Sequence, residues 1–297
     1  MCEMGGEMDV IELPDQSDST TKQQPSVKIH AEIATKINFA CHQSAFPLLR
    51  DLSIENFDKE HRFEGLTVEL TCDPDFVKPK VWRVDRLAAG GRISVSRNLD
   101  LNLRGDFLLN LADSMRGTVT ITVSKDEEII AEQDYPVELL AYNEWGGAGF
   151  MPDLLAAFSM PNDPAIDKIL KKAAETLRRS GDDAEIDGYL SLSRERVWKL
   201  ASGIYSAIAS MGIEYAVPPA SFEQNGQKIR LPGDIASGRV ATCLDTTMLF
   251  ASCLEQAGLN PIIVIPEGHA LAAFGFNRKC CRPSSSMKRK LCASGYS

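Results

Sequence analysis

Through much of the first half of the chain, apolar and polar residues alternate with a period of two, the spacing of half-buried strands. Val27, Ile29, Ala31 and Ile33 keep one side apolar, and so do Leu52 and Ile54, then Leu66, Val68 and Leu70. Val81, Val84 and Leu87 lead into the turn Ala88-Ala89-Gly90-Gly91, and Ile93 and Val95 follow it, which predicts a hairpin. The run from Thr118 to Val123, a polar turn at Ser124 to Glu127, and the runs Ile129 to Ala131 and Tyr135 to Leu139 predict another. Repeated short strands at this spacing predict an immunoglobulin-like β-sandwich over residues 27–141, a fold that names no function by itself.

From residue 142 the period changes. Tyr142 to Met151 is rich in glycine and aromatic residues and reads as a connector, with Trp145 and Phe150 fastening one domain to the next. Asn162-Asp163-Pro164 is a cap followed by proline at the first helical position, after which Ile166, Ile169, Leu170, Ala173 and Leu177 line one face as far as Arg179. A second amphipathic helix is marked by Val197, Leu200, Ala201, Ile204, Ile208 and Met211, with Trp198 and Tyr205 widening its stripe. Residues 215–231 read as a loop, in which Gln224 and Gln227 are both open to a surface role or to donating a hydrogen bond to an oxyanion.

A third helix is expected to open at Cys243. Thr242 is its N-cap, Asp245 places a carboxylate in its first turn, and Leu244, Met248 and Ala251 form one buried face. Gly258 fits a left-handed C-cap. Pro261 to Ile265 is a continuous apolar run, the pattern of a strand covered on both faces, and after the turn Pro266-Glu267-Gly268 the chain is expected to return as a strand starting at His269.

Two reactive side chains fall at telling positions in this stretch. A thiol in the first turn of a helix faces unpaired N–H groups that favour its thiolate, and an adjacent imidazole completes the activated nucleophile of acyl transfer. Cys243 and His269 are the residues for these roles, and His269 is the only histidine after residue 61. The bland readings are a packed cysteine on a buried helix and a hydrogen-bonded histidine at a strand end.

Thr242-Cys243-Leu244-Asp245-Thr246, Ala257-Gly258-Leu259-Asn260-Pro261 and Glu267-Gly268-His269-Ala270 resemble the transglutaminase-like superfamily, whose thiol core is of papain type. More narrowly, Val137 to Gly147 and Met160 to Ala165 resemble the N-terminal region of large bacterial superfamily-one helicase-like proteins that carry such a module, although no helicase motif occurs in this chain. The resemblance implies an α+β transglutaminase-like domain over residues 142–277, and a nucleophile and base at Cys243 and His269. It also implies a third member on the strand after the histidine. No Asp or Glu follows Glu267, which leaves Asn277 as the side chain to orient the imidazole, and Ala241 stands where many relatives carry glycine. The domain is expected to be truncated at its C-terminal end.

Charge and composition narrow the setting. The 297 residues carry a net charge of −9, which argues against binding nucleic acid through the bulk surface. No run is apolar enough to span a bilayer, so a cytoplasmic protein acting on a protein or peptide substrate, without membrane, cofactor or metal, is expected. The eight cysteines are irregularly spaced and suggest no disulfide framework. His30, His42, His61, Cys41 and Cys72 also lack zinc-ligand spacing. Residues 1–26 read as a disordered polar leader. The tail 278–297 holds six basic and no acidic residues and is expected to be an unstructured segment foreign to the domain. The function expected is thiol-dependent acyl transfer or amide hydrolysis. The alternative is a non-catalytic recognition or scaffold module of a helicase-related bacterial protein.

Overall fold

The structure, a computed structural model, describes residues 26–95 and 99–276. Its first part is built from eight strands: β1 (Val27–Ile33), β2 (Lys36–Ile37), β3 (Leu49–Asn56), β4 (Phe63–Asp73), β5 (Lys80–Leu87), β6 (Arg92–Ser94), β7 (Met115–Lys125) and β8 (Glu128–Leu139). They form a three-stranded sheet in the order β1-β3-β6 and a five-stranded sheet in the order β2-β8-β7-β4-β5. Alternation decides which faces are covered. Leu66, Val68 and Leu70 of β4 and Val119, Ile121 and Val123 of β7 are all fully buried, each burial contributing roughly 1.5–3 kcal/mol. Both sheets supply one hydrophobic core. Two short helices, α1 (Phe39–Gln43) and α2 (Gly105–Leu109), close its end.

One expected hairpin is absent. The strands on either side of Ala88 to Gly91 do not pair with each other: β5 pairs with β4, whereas β6 crosses to the other sheet and pairs with β3. The turn therefore carries the chain from one sheet to the next. A local pattern cannot distinguish these outcomes, because a strand with one apolar face is satisfied by either neighbour.

The connector begins with β9 (Glu144–Trp145) and continues through a 3-10 helix at Pro152–Phe158. Trp145 is 1% exposed and donates from Nε1 to the Met151 carbonyl at 3.0 Å, so it is core. Phe150 is half exposed, and Lys36 Nζ lies 4.4 Å from its ring centre. Helix α3 (Pro164–Arg179) then starts with the Asp163 side chain accepting from Ala165 N, and packs against α4 (Arg194–Ala209). Gly203 of α4 permits that approach: a Cβ there would stand 3.0 Å from Leu177 Cγ. Trp198 and Tyr205 were expected to widen the buried stripe of α4, but they are 57% and 67% exposed. Their positions fall beyond the arc that α3 covers.

The loop expected over 215–231 holds short elements, and others flank it. β10 (Glu214–Tyr215) enters it, α5 (Phe222–Asn225) and β11 (Gln227–Lys228) lie within it, and α6 (Pro232–Gly238) and β12 (Val240–Ala241) follow it. β11 pairs with β9, and β10 pairs in parallel with β12. Gly226, at φ +92°, is required where these cross, since a Cβ would stand 1.8 Å from the Trp145 carbonyl oxygen. Helix α7 (Cys243–Gln256) follows, then the hairpin of β13 (Pro261–Val264) and β14 (Leu271–Phe274). Ile262 is 40% exposed, so the apolar run is not covered on both faces as expected.

Helix α7 is buried nearly all round rather than along one stripe. Cys243, Leu244 and Met248 belong to the core shared with the β-sheets, while Leu249, Cys253 and Leu254 belong to a second core with α3 and α4. Ser252, fully buried, accepts from Met160 N at 3.0 Å and donates to the Met248 carbonyl at 2.8 Å, tying the connector to the middle of the helix. Among the described residues no helix is long and apolar enough to cross a membrane.

Candidate functional site

Cys243 is the first residue of α7, as the capping residues dictate. Thr242 Oγ1 accepts from Asp245 N at 3.2 Å and Asp245 Oδ2 accepts from Thr242 N at 2.8 Å, a reciprocal capping box. Asp245 is fully buried and takes two further hydrogen bonds, from Arg230 N and Arg230 Nη1, each at 2.9 Å. A buried carboxylate costs several kcal/mol unless it is paired, and here every contact is to a donor. This commits Asp245 to the helix start and to Arg230. Its chemistry is structural.

Gln227 closes the other side of the cap. It is 5% exposed, and its Nε2 donates to Thr242 Oγ1 at 2.9 Å and to the Lys228 carbonyl at 3.4 Å. The amide N–H groups are thus already engaged, so Gln227 is not the free oxyanion donor considered from sequence. Gln224 is exposed, and its carbonyl accepts from Gly149 N at 3.2 Å.

The Cys243 side is buried, with 3% of the residue exposed. The parallel pairing of β10 with β12 sets Tyr215 opposite Ala241, two residues ahead of Cys243, and brings its phenol to the sulfur. Partial desolvation, and then the Cys243 sulfur through its charge and hydrogen bonding, raise the Tyr215 phenol above its ordinary 10.0. Tyr215 itself is 63% exposed. Sequence reasoning passed over Tyr215 and Arg230. A two-residue strand has no periodicity to detect, and nothing local marks Arg230 as a partner for a residue fifteen positions on.

His269 does not begin a strand. β14 starts at Leu271, and His269 lies exposed in the preceding turn, where its backbone N donates to the Pro266 carbonyl at 3.2 Å and Gly268 adopts φ +66°. The turn uses the N–H that a ladder would have used. Helix α7 packs on both strands of this hairpin, and Ala270, next to His269, is buried in the same core as Cys243. Among the described residues no hydrogen bond joins the His269 ring to Cys243. Asn277, the third expected site residue, lies outside the described residues.

The other described thiols, Cys41, Cys72 and Cys253, are free as well. Burial pushes Cys41 up to about 11 and Cys253 up to about 12, and it also raises Cys72, so all three are poor nucleophiles. Among the described residues no group of three or more His, Cys, Asp and Glu side chains could hold a metal ion. A cavity of about 520 Å³ lies in the β-rich part against Asp75, Arg104, Phe107 and Met115, with none of the residues above in its walls. No family model matches the chain, and neither does any curated protein or solved structure.

Proposed function

We propose that the chain is a thiol-dependent acyl-transfer module of transglutaminase-like type, with Cys243 as nucleophile and His269 as its base. The observation that carries this is the position of Cys243 as the first residue of a fourteen-residue, fully capped helix, with a phenol at its sulfur. Helix N–H groups left without intrahelical partners favour negative charge at that end, both on a thiolate and on the oxygen of a tetrahedral intermediate. In the reaction the sulfur attacks an amide carbonyl carbon, and the C–N bond breaks. The thiol proton passes through the imidazole, directly or across one water, to the leaving amine. Water or an amine then attacks the thioester, returns its proton through the same imidazole and frees the thiol. The substrate in this reading is a protein or peptide, and the setting is cytoplasmic.

A second reading, a recognition module without catalysis, is favoured by one set of observations. Cys243 is almost fully buried, and among the described residues no hydrogen bond joins His269 to it. Alkylation of Cys243 against pH, in the native chain and in His269→Ala, separates the two. The acyl-transfer reading expects a rate that falls about tenfold or more in the variant at neutral pH. Rates that follow an ordinary thiol, near pH 8.5, in both proteins leave the recognition module.

A further inference from the structure

Two cavities away from Cys243 carry charge in different ways. In the larger one, placed above against Asp75 and Arg104, the arginine is neutralised within the wall: it pairs with Asp75 and with Asp106, and all three line the space. A smaller cavity, of about 240 Å³, lies where the chain passes from β1 in one sheet to β2 in the other. Gly149 and Phe150 of the connector form part of its wall, together with Lys36, Phe46 and Arg50, and no acidic side chain lines it. Each cation stands against a ring of the same wall. Lys36 Nζ is 4.4 Å from the Phe150 ring centre, and the Arg50 guanidinium carbon is 5.4 Å from that of Phe46. Lys36 Nζ also donates to the Asn225 carbonyl at 3.0 Å, which fixes its charge in place. Both cations have carboxylate partners, but these lie outside the wall: Glu32 Oε1 is 3.3 Å from Arg50 Nη1, and Glu138 Oε2 is 3.6 Å from Lys36 Nζ. Such exposed pairs hold weakly. Arg50 gives Glu32 one of its five N–H groups, and the Thr35 hydroxyl, also in the wall, makes no hydrogen bond among the described residues. The side chains that meet an entering ligand are therefore cationic, hydroxyl or apolar. A chain of net charge −9 repels anions in general, so an acid-free wall with two cations is where one is drawn in.

We propose that this cavity binds a small carboxylate carrying one ring or a short branched chain. The carboxylate oxygens accept from the Arg50 guanidinium, whose paired N–H groups match them, and Lys36 adds its charge. The apolar part packs against Ile33, Ala34, Phe46 and Phe150. The space is about that of eight molecules of liquid water, enough for one ring with its carboxylate. Phosphate is the poorer fit. The backbone N–H groups of Ala34, Gly149 and Phe150 are already given to the carbonyls of Leu48, Gln224 and Gly147, which leaves little of the N–H cradle that phosphate sites use. The site is independent of any chemistry at Cys243.

The probe is 4-fluorobenzoate, with 4-fluorobenzamide as its uncharged counterpart of the same shape, each followed by fluorine NMR with the full chain. The expected result is a Kd of about 1 mM or tighter for the benzoate and binding at least about tenfold weaker for the benzamide, the difference made by one charge-assisted hydrogen bond. The methyl signals of Ile33 and Ala34 should shift as benzoate is added. Arg50→Gln, at an exposed position, should leave the urea midpoint nearly unchanged, weaken benzoate about tenfold and leave benzamide as it was. Arg83→Gln, at an exposed position of β5 outside the cavity, should change neither. Inorganic phosphate at the same concentration should displace little benzoate. Equal binding of acid and amide, benzoate binding that survives Arg50→Gln or falls as far in Arg83→Gln, displacement by phosphate as effective as by unlabelled benzoate, or no binding below about 10 mM overturns the proposal.

Discussion

The β-rich half and the helical half bury their apolar residues in opposite ways, and they meet on one helix. In the sheets, single faces are covered: Leu66, Val68 and Leu70 point inward while Glu64 and Glu69 stay exposed. Helices α3 and α4 each cover one stripe, but α7 has no free face, because both cores need it. Its first turn, with Cys243 and Leu244, is packed against the β-rich half, and its later turns, with Leu249 and Cys253, against the helices. The lesson concerns precision. The candidate nucleophile sits at the seam, where any shift of one half against the other moves it.

The sharpest way to break this picture is to unpair the cap. Asp245→Ala leaves Arg230 and Thr242 N without their acceptor and is expected to destabilise the chain by about 3–5 kcal/mol, read as a drop in the urea midpoint. A loss below about 1 kcal/mol would show that the cap is not what holds the seam.

Leu249→Ala comes next, with an expected loss of about 3 kcal/mol from the cavity it opens in the helical core. Because α7 serves both cores, amide exchange in β4 and β7 should accelerate along with that in α3 and α4. Protection kept in the strands alone would mean the halves unfold independently.

Alkali should act on both cores through their buried thiols. The folded-state values of Cys41 and Cys253, about 11 and about 12, lie above those of an unfolded thiol, which is near 8.5. Their stabilising contribution is therefore fully present below about pH 8.5 and is lost as pH rises toward the folded values. Each should remove about 1.4 kcal/mol per pH unit above that point, and Cys253→Ala should cut the slope by about half. A urea midpoint flat from pH 8 to pH 10 would contradict the burial of both.

The smallest effect is expected at the strap between the halves. Lys228 Nζ reaches the Ala112 carbonyl at 2.9 Å and Asp113 at 2.5 Å, but the pair is half exposed or more. Lys228→Met should change stability by no more than about 1 kcal/mol. If the strap steadies the Gln227 amide, alkylation of Cys243 should respond more than the urea midpoint does.

Much of this was legible along the chain. Thr242, Cys243 and Asp245 announce a helix start by residue type and spacing alone, and the capping box forms as those residues require. Asp163-Pro164 fixes the start of α3 for the same local reason. The strands β4, β7 and β8 follow from alternation. What was not legible involved partners far away in sequence. Whether β6 pairs with β5 or β3, whether Tyr215 feels the Cys243 sulfur, and what the Gln227 amide bonds are all settled by contacts between distant segments. His269 shows the limit in the other direction. Apolar neighbours suggested a strand, but the glycine before it and the Pro266 carbonyl kept it in the turn.

The sequence by itself determined where helices begin, which strand faces are apolar and which thiol stands at a helix end, because these depend on residues within one or two turns of each other. Only the tertiary structure decided that α7 is shared by two cores, that Asp245 belongs to Arg230, and that the Gln227 amide closes the cap. Those outcomes depend on burial, and burial is a property of the whole packed chain.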